Sequence, residues 1–154
     1  MTLKQWQANG WLKPHETSRK EIANLLAIVR RDLADARAQV ISDDWRFGIA
    51  YNAALKLCTA LLCAEGFRPE RELAHFRALQ ALPIILGPDR QPDADYLESC
   101  RRKRNRVEYE SVGGATGENA DELIEFVQSL QKDVLNWLRG NHPNLAPPKD
   151  SAKP

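Results

Sequence analysis

The sequence predicts an all-α fold, an up-and-down bundle of about five helices, on three observations. Apolar residues recur at intervals of three and four along most of the chain, the period of a helix with one buried face. Ser, Thr or Asp precedes these stretches and Gly follows them, the usual start and stop chemistry. No pair of alternating strand-like segments, internal repeat or glycine-rich phosphate loop accompanies them. Ile84-Ile85-Leu86 has strand composition but no partner, and reads as an apolar helix exit.

The elements follow in order. Residues 1–14 form an N-terminal arm in which Trp6 and Trp11 flank Asn9-Gly10. Two exposed indoles would leave a large apolar patch, so both are expected to pack on the body. Ser18 with Glu21 three positions later makes a capping box. Ile22, Leu25, Leu26, Val29, Leu33, Ala36 and Val40 then form the stripe of the first long helix. Ser42-Asp43-Asp44 caps the second, whose stripe runs from Phe47 through Tyr51, Leu55 and Cys58 to Leu62, with Gly66 as its stop. The short turn between the two makes a helical hairpin. Pro69 is expected near the start of a third helix that carries His75 and Phe76 and ends or kinks at Pro83. Residues 87–92 are a loop. Asp93-Ala94-Asp95 opens a fourth helix, which ends at Ser111 to Gly114. Thr116 or Asn119 caps the fifth, and Gly140 closes it. The bundle is thus expected over 15–140, with 141–154, rich in Pro and Lys, a disordered tail.

The chain has 154 residues, 43% hydrophobic and 28% charged, which suits one soluble domain. Its net charge of +1 means that any attraction for phosphate must be local. Cys58, Cys63 and Cys100 are odd in number and lack metal-ligand spacing, so neither a disulfide framework nor a zinc site is expected. Buried thiols in a reducing cytoplasm fit better. The first residues do not form a signal peptide, and no apolar run approaches the roughly 20 residues that span a bilayer. The expectation is a soluble cytoplasmic protein without membrane contact, metal or cofactor.

The local source of charge is Arg101-Arg102-Lys103-Arg104-Asn105-Arg106-Val107-Glu108-Tyr109. At 100° per residue, Tyr96, Cys100 and Val107 fall on a side that suits the core. Arg101, Arg104, Asn105, Glu108 and Tyr109 spread over the other, open to solvent, a partner helix or a ligand. Clustered arginines repel one another, and carboxylates or phosphate oxygens match their fork geometry. One bland alternative is a solvated face with ion pairs. Another is a dimerisation helix that meets Asp43 and Asp44 of a second copy.

The chain resembles the HEPN family (higher eukaryotes and prokaryotes nucleotide-binding domain) over roughly residues 15 to 139. The residues that carry the likeness are Glu21-Ile22 and Leu25-Leu26, Ala50-Tyr51-Asn52-Ala53, His75-Phe76, and above all Arg104-Asn105 with Glu108-Tyr109. Within the family it looks most like small stand-alone bacterial members. The resemblance implies a metal-independent endoribonuclease, often a toxin paired with a nucleotidyltransferase antitoxin. It also implies a homodimer whose two copies build a composite cleft. The family motif is an Arg that holds phosphate, a polar residue, and a His that transfers protons. Arg104 and Asn105 match its first two positions, and Tyr109 stands where the His belongs. An alternative alignment, Arg102, Val107 and Tyr109, resembles toxins whose tyrosine the partner modifies.

Carried over, Arg104, Asn105 and Tyr109 are the catalytic candidates, and Arg101, Arg102 and Arg106 the RNA- and phosphate-binding ones. The Tyr matters because a base works best near the operating pH, and a phenol titrates near 10 against about 6.5 for imidazole. A catalytically inactive dimer that binds RNA, a nucleotide or a partner protein is therefore the competing reading. His15 and His75 are isolated from the motif in sequence, but His75 becomes a candidate base if the fold brings it near Arg104.

Overall fold

The computed structural model describes residues 1–109 and 112–148, without the side chains of Glu108 and Tyr109. The architecture is all-α apart from one small ribbon: α1 (Leu3–Ala8), β1 (Leu12–Pro14), α2 (Arg19–Ala36), α3 (Asp43–Ala64), β2 (Phe67–Pro69), α4 (Ala74–Gln80), α5 (Leu82–Leu86), α6 (Gln91–Tyr109) and α7 (Gly117–Asn141).

The central helix is α3. It packs against α2, α7, α6 and α4, and Phe47, Ala50, Tyr51, Ala54, Leu57, Leu61 and Leu62 are all buried. Its alanines let neighbouring helices approach. This helix is long and apolar enough to cross a membrane by length and composition, contrary to the sequence expectation. Most of it is buried inside the fold, as in the core helix of a bundle.

Caps form where local chemistry demands them. The Ser18 and Ser42 hydroxyls accept from the N–H groups of Glu21 and Trp45, each at 3.1 Å. Thr116 and Asn119 form a reciprocal capping box at the start of α7. The reciprocal half of the box expected at Ser18 is missing, because the Glu21 carboxylate turns to Thr17 and His15 instead. Gly66, at φ +90°, ends α3 as expected. Gly140 does not end α7, which runs on to Asn141.

Two expectations about strands and the third helix are corrected. Pro69 does not open a helix. It lies in β2, which pairs antiparallel with β1 in the register Leu12↔Pro69, Lys13↔Arg68 and Pro14↔Phe67. Because α2 and α3 run antiparallel, the segment entering α2 and the segment leaving α3 meet at one end of the hairpin. Prolines are tolerated there because the ribbon consists of edges only. The next helix starts later, at Ala74, behind Leu73 in a left-handed conformation at φ 57°.

The arm packs as expected. Trp6 is buried and meets Trp11 edge-on with ring centroids 5.9 Å apart, and the Arg77 guanidinium lies 3.7 Å from the Trp11 ring. The tail is ordered further than expected. Ala146 is buried, Leu145 packs against the core, and His142 lies 3.6 Å from Glu65. Residues 149–154 lie outside the described part, as do Glu110 and Ser111, where the fourth helix was expected to end.

Two arginines fasten the bundle. Arg46 joins the end of α2 to α3 and α7 through Ala36 O, Asp43 and Asp121. Arg90 bridges Asp93 and Asp133, tying the start of α6 to α7. Asp44 accepts from the backbone N–H groups of Gly113 (2.7 Å) and Ala115 (3.0 Å). The acids offered as partners for a second copy's basic helix, Asp43 and Asp44, are thus engaged within the chain.

Candidate functional site

Helical geometry divides the basic run. Arg101 and Arg104 are three apart, half-buried, and turned toward α3. The Arg104 guanidinium stands 5.7 Å from the Tyr51 ring centroid. Gly48, one turn before Tyr51, leaves room beside it: a Cβ there would sit 4.0 Å from Arg104 Cγ. Asn105 is half-buried, and its Oδ1 accepts from Arg104 Nη1 at 3.5 Å, the long limit for such a bond. Arg102 and Arg106 are exposed on another face, where they line a shallow hollow with Asp95, Glu98 and Ser99. The six candidates therefore do not form one cluster. Tyr109 belongs to α6, but its side chain lies outside the described residues.

Part of the charge that seemed to need an outside partner is met inside the helix. Glu98 is only 7% exposed and accepts from Arg101 Nε. Arg102 Nε approaches the same carboxylate at 4.0 Å. These are pairs at three and four positions, the neighbours on a helix surface.

The structure places His75 where the sequence could only state a condition. α4 carries it across Tyr51, with Nδ1 3.4 Å from the phenol oxygen and ring centroids 6.2 Å apart. Arg104 approaches the same phenol ring. The His75 pKa lies below the usual 6.5 because of desolvation first, then the positive fields of Arg104, Arg101 and Lys56. His75 as a whole is exposed to solvent. Tyr51 is buried, and that burial raises its pKa above 10 while Arg101 and Arg104 pull it down, so it stays a neutral phenol at physiological pH. Asn52, the next residue, reaches the opposite way and donates to the buried Asp32 at 2.7 Å.

Sequence reasoning placed Tyr51 in the core stripe and passed over Lys56, Glu98 and Asp32. The signal for Glu98 was its spacing from Arg101 and Arg102. Tyr51 and Lys56 carry no local signal of contact with α4 or α6.

The depressed His75 pKa has a consequence for stability. The unfolded chain binds a proton near pH 6.5, and the folded chain resists it until lower pH. Stability is therefore fully present above about 6.5 and falls as pH drops through that value and on through the folded one. In urea titrations, His75→Gln is expected to flatten the loss below about pH 6.5. An unchanged slope would remove His75 from that role.

A groove of about 200 Å³ lies beside Arg104, lined by Trp45, Gly48, Val107 and Val112 among others. Trp45 is 61% and Val112 98% exposed, two large apolar side chains at the rim of the basic helix.

No family model, curated protein or solved structure matches the chain.

Proposed function

We infer that this chain is a HEPN-like, RNA-targeting protein that cleaves RNA without a metal, with Arg104 holding phosphate and His75 moving the proton. The observation that carries this reading is that His75 and Arg104 both approach Tyr51, His75 at the phenol oxygen and Arg104 near the ring. A base and a cation close enough for the charge of one to act on the other are the minimum for attack of an RNA 2′-hydroxyl on its own phosphate. The 2′-oxygen bonds to phosphorus, the bond to the 5′-oxygen breaks, and the 2′-proton goes to the base. A proton then returns to the leaving 5′-oxygen, and the product is a 2′,3′-cyclic phosphate. When His75 Nδ1–H donates to the Tyr51 oxygen, the Nε2 lone pair accepts the proton. Its depressed pKa keeps the ring neutral near pH 7. Arg101 adds attraction for the backbone, Asn105 orients Arg104, and Tyr109 serves as hydrogen-bond donor or stacking surface. The expected setting is cytoplasmic, as a homodimer, with a nucleotidyltransferase-type antitoxin as partner.

The test is cleavage of a labelled RNA in chelator, with product ends analysed for the cyclic phosphate. Wild type should cut and Arg104→Ala should fall by about 10²–10³-fold, the usual cost of losing one preorganised charge donor. Equal background cleavage by both would remove the enzyme reading.

A second reading is a catalytically inactive dimer that binds RNA, a nucleotide or a partner protein. It is favoured by the tyrosine at the motif position, and by Trp45 and Val112, whose exposure beside Arg104 suits a seam with a second copy. If wild type is inert, Tyr109→His should create measurable cleavage. Trp45→Ser should shift the sedimentation profile from dimer toward monomer, and a profile identical to wild type would count against that seam.

A further inference from the structure

The end of the α2–α3 hairpin brings together three side chains that no motif spacing connects. His15 follows β1 and is pinned by its backbone N–H to Gly66 O at 2.8 Å. Glu21 lies in the first turn of α2, and Cys63 in the last turn of α3. His15 Nε2 is 2.7 Å from Glu21 Oε1, and the Cys63 sulfur completes a set of ligand atoms within 4.8 Å of one another. Cys63 is buried, while His15 and Glu21 are only partly covered, which leaves a path for an ion.

We propose that His15, Glu21 and Cys63 bind a single zinc ion, with water as the fourth ligand. The donors are one imidazole nitrogen, one carboxylate oxygen and one sulfur, a set that suits zinc and disfavours magnesium or calcium. Bonds of about 2.0–2.3 Å in a tetrahedron put ligand atoms about 3.3–3.6 Å apart. The His15–Glu21 contact must therefore open slightly and Cys63 draw in, both by side-chain rotation. Neutral imidazole, carboxylate and thiolate together balance the +2 charge. Thr17 Oγ1 already donates to Glu21 Oε1 at 2.6 Å and holds the carboxylate in place. Binding takes the Cys63 proton away, so affinity rises with pH. The ion ties the ribbon to both helices of the hairpin. The site lies at the foot of the hairpin, keeps one open coordination position, and uses none of the side chains assigned to RNA cleavage.

The test uses the full chain, stripped with chelator, then titrated with zinc by calorimetry and with cobalt by absorption. One ion should bind per chain, and cobalt should show a thiolate charge-transfer band with the intense visible bands of four-coordination. Zinc at about 100 times its dissociation constant should lower the unfolding equilibrium constant about 100-fold. Cys63→Ser should abolish the charge-transfer band, and His15→Gln should weaken zinc at least about tenfold, a loss of one ligand. His15 is only partly covered, so His15→Gln keeps the test open if Cys63→Ser does not fold. Absence of the thiolate band in wild type, or an unchanged zinc affinity in both variants, would overturn the proposal.

Discussion

His75→Ala is expected to lower RNA cleavage by about 10²–10⁴-fold, the usual contribution of a positioned acid–base group. The fold should survive, because His75 is exposed and its hydrogen-bond contact to Tyr51 is long. If His75 transfers a proton and does not hold the phosphate, as proposed, the loss should fall on kcat with little change in KM. Under the same proposal Arg104→Ala should change both, because its guanidinium would attract the ground-state phosphate and the developing charge alike. The pH profile separates His75 from Tyr109. With His75 as base, kcat/KM should rise only to about pH 6.5 and then level, because the His75 pKa lies below its ordinary value. With a phenol as base, the rate should continue upward toward about pH 10. A profile still climbing at pH 9, with His75→Ala as active as wild type, would move the role to Tyr109.

The sequence made the helices legible where the signal was local. Ser18, Ser42 and Thr116 cap because each hydroxyl meets an N–H three residues on. The α2–α3 hairpin follows from two apolar stripes and a short turn. The ribbon was hidden because its strands are three residues long, carry prolines and pair Leu12 with Pro69 across the whole hairpin. No window of local periodicity contains such a contact. The tail was misread for a related reason: Leu145 and Ala146 are only two apolar residues among prolines, yet the end of α7 gives them a surface to cover. At the site, the basic run stood out but its division did not. Which of the cations meets Tyr51 and which faces water depends on the rotation of α6 in the bundle. The approach of His75 depends on the left-handed Leu73 that launches α4. A leucine is not a residue that announces such a turn.

Arg46→Ala is expected to cost about 1.5–3 kcal/mol, the range for hydrogen bonds to charged groups. The side chain is 4% exposed and serves three elements at once. Its Nε donates to Ala36 O at 2.8 Å, one of the carbonyls left over at the end of α2. Its two terminal nitrogens reach Asp43 at 3.1 Å, in the first turn of α3, and Asp121 at 2.6 Å, in the second turn of α7. The positive group thus sits at the negative end of the α2 dipole, and Asp43 at the positive end of the α3 dipole. Removal strands the buried Ala36 carbonyl, but Asp43 and Asp121 are about half or more exposed and regain water. That recovery keeps the cost below the roughly 3–5 kcal/mol of breaking a fully buried pair. A melting point lower by about 5–10 °C should result for a chain of this size. Arg46→Lys keeps the charge without the fork and should recover only part of the loss. Arg46→Met keeps most of the stem's packing and none of the bonds. If the methionine variant melts with wild type, the clamp contributes nothing beyond the packing of its methylenes, and α2, α3 and α7 are held by their apolar faces alone.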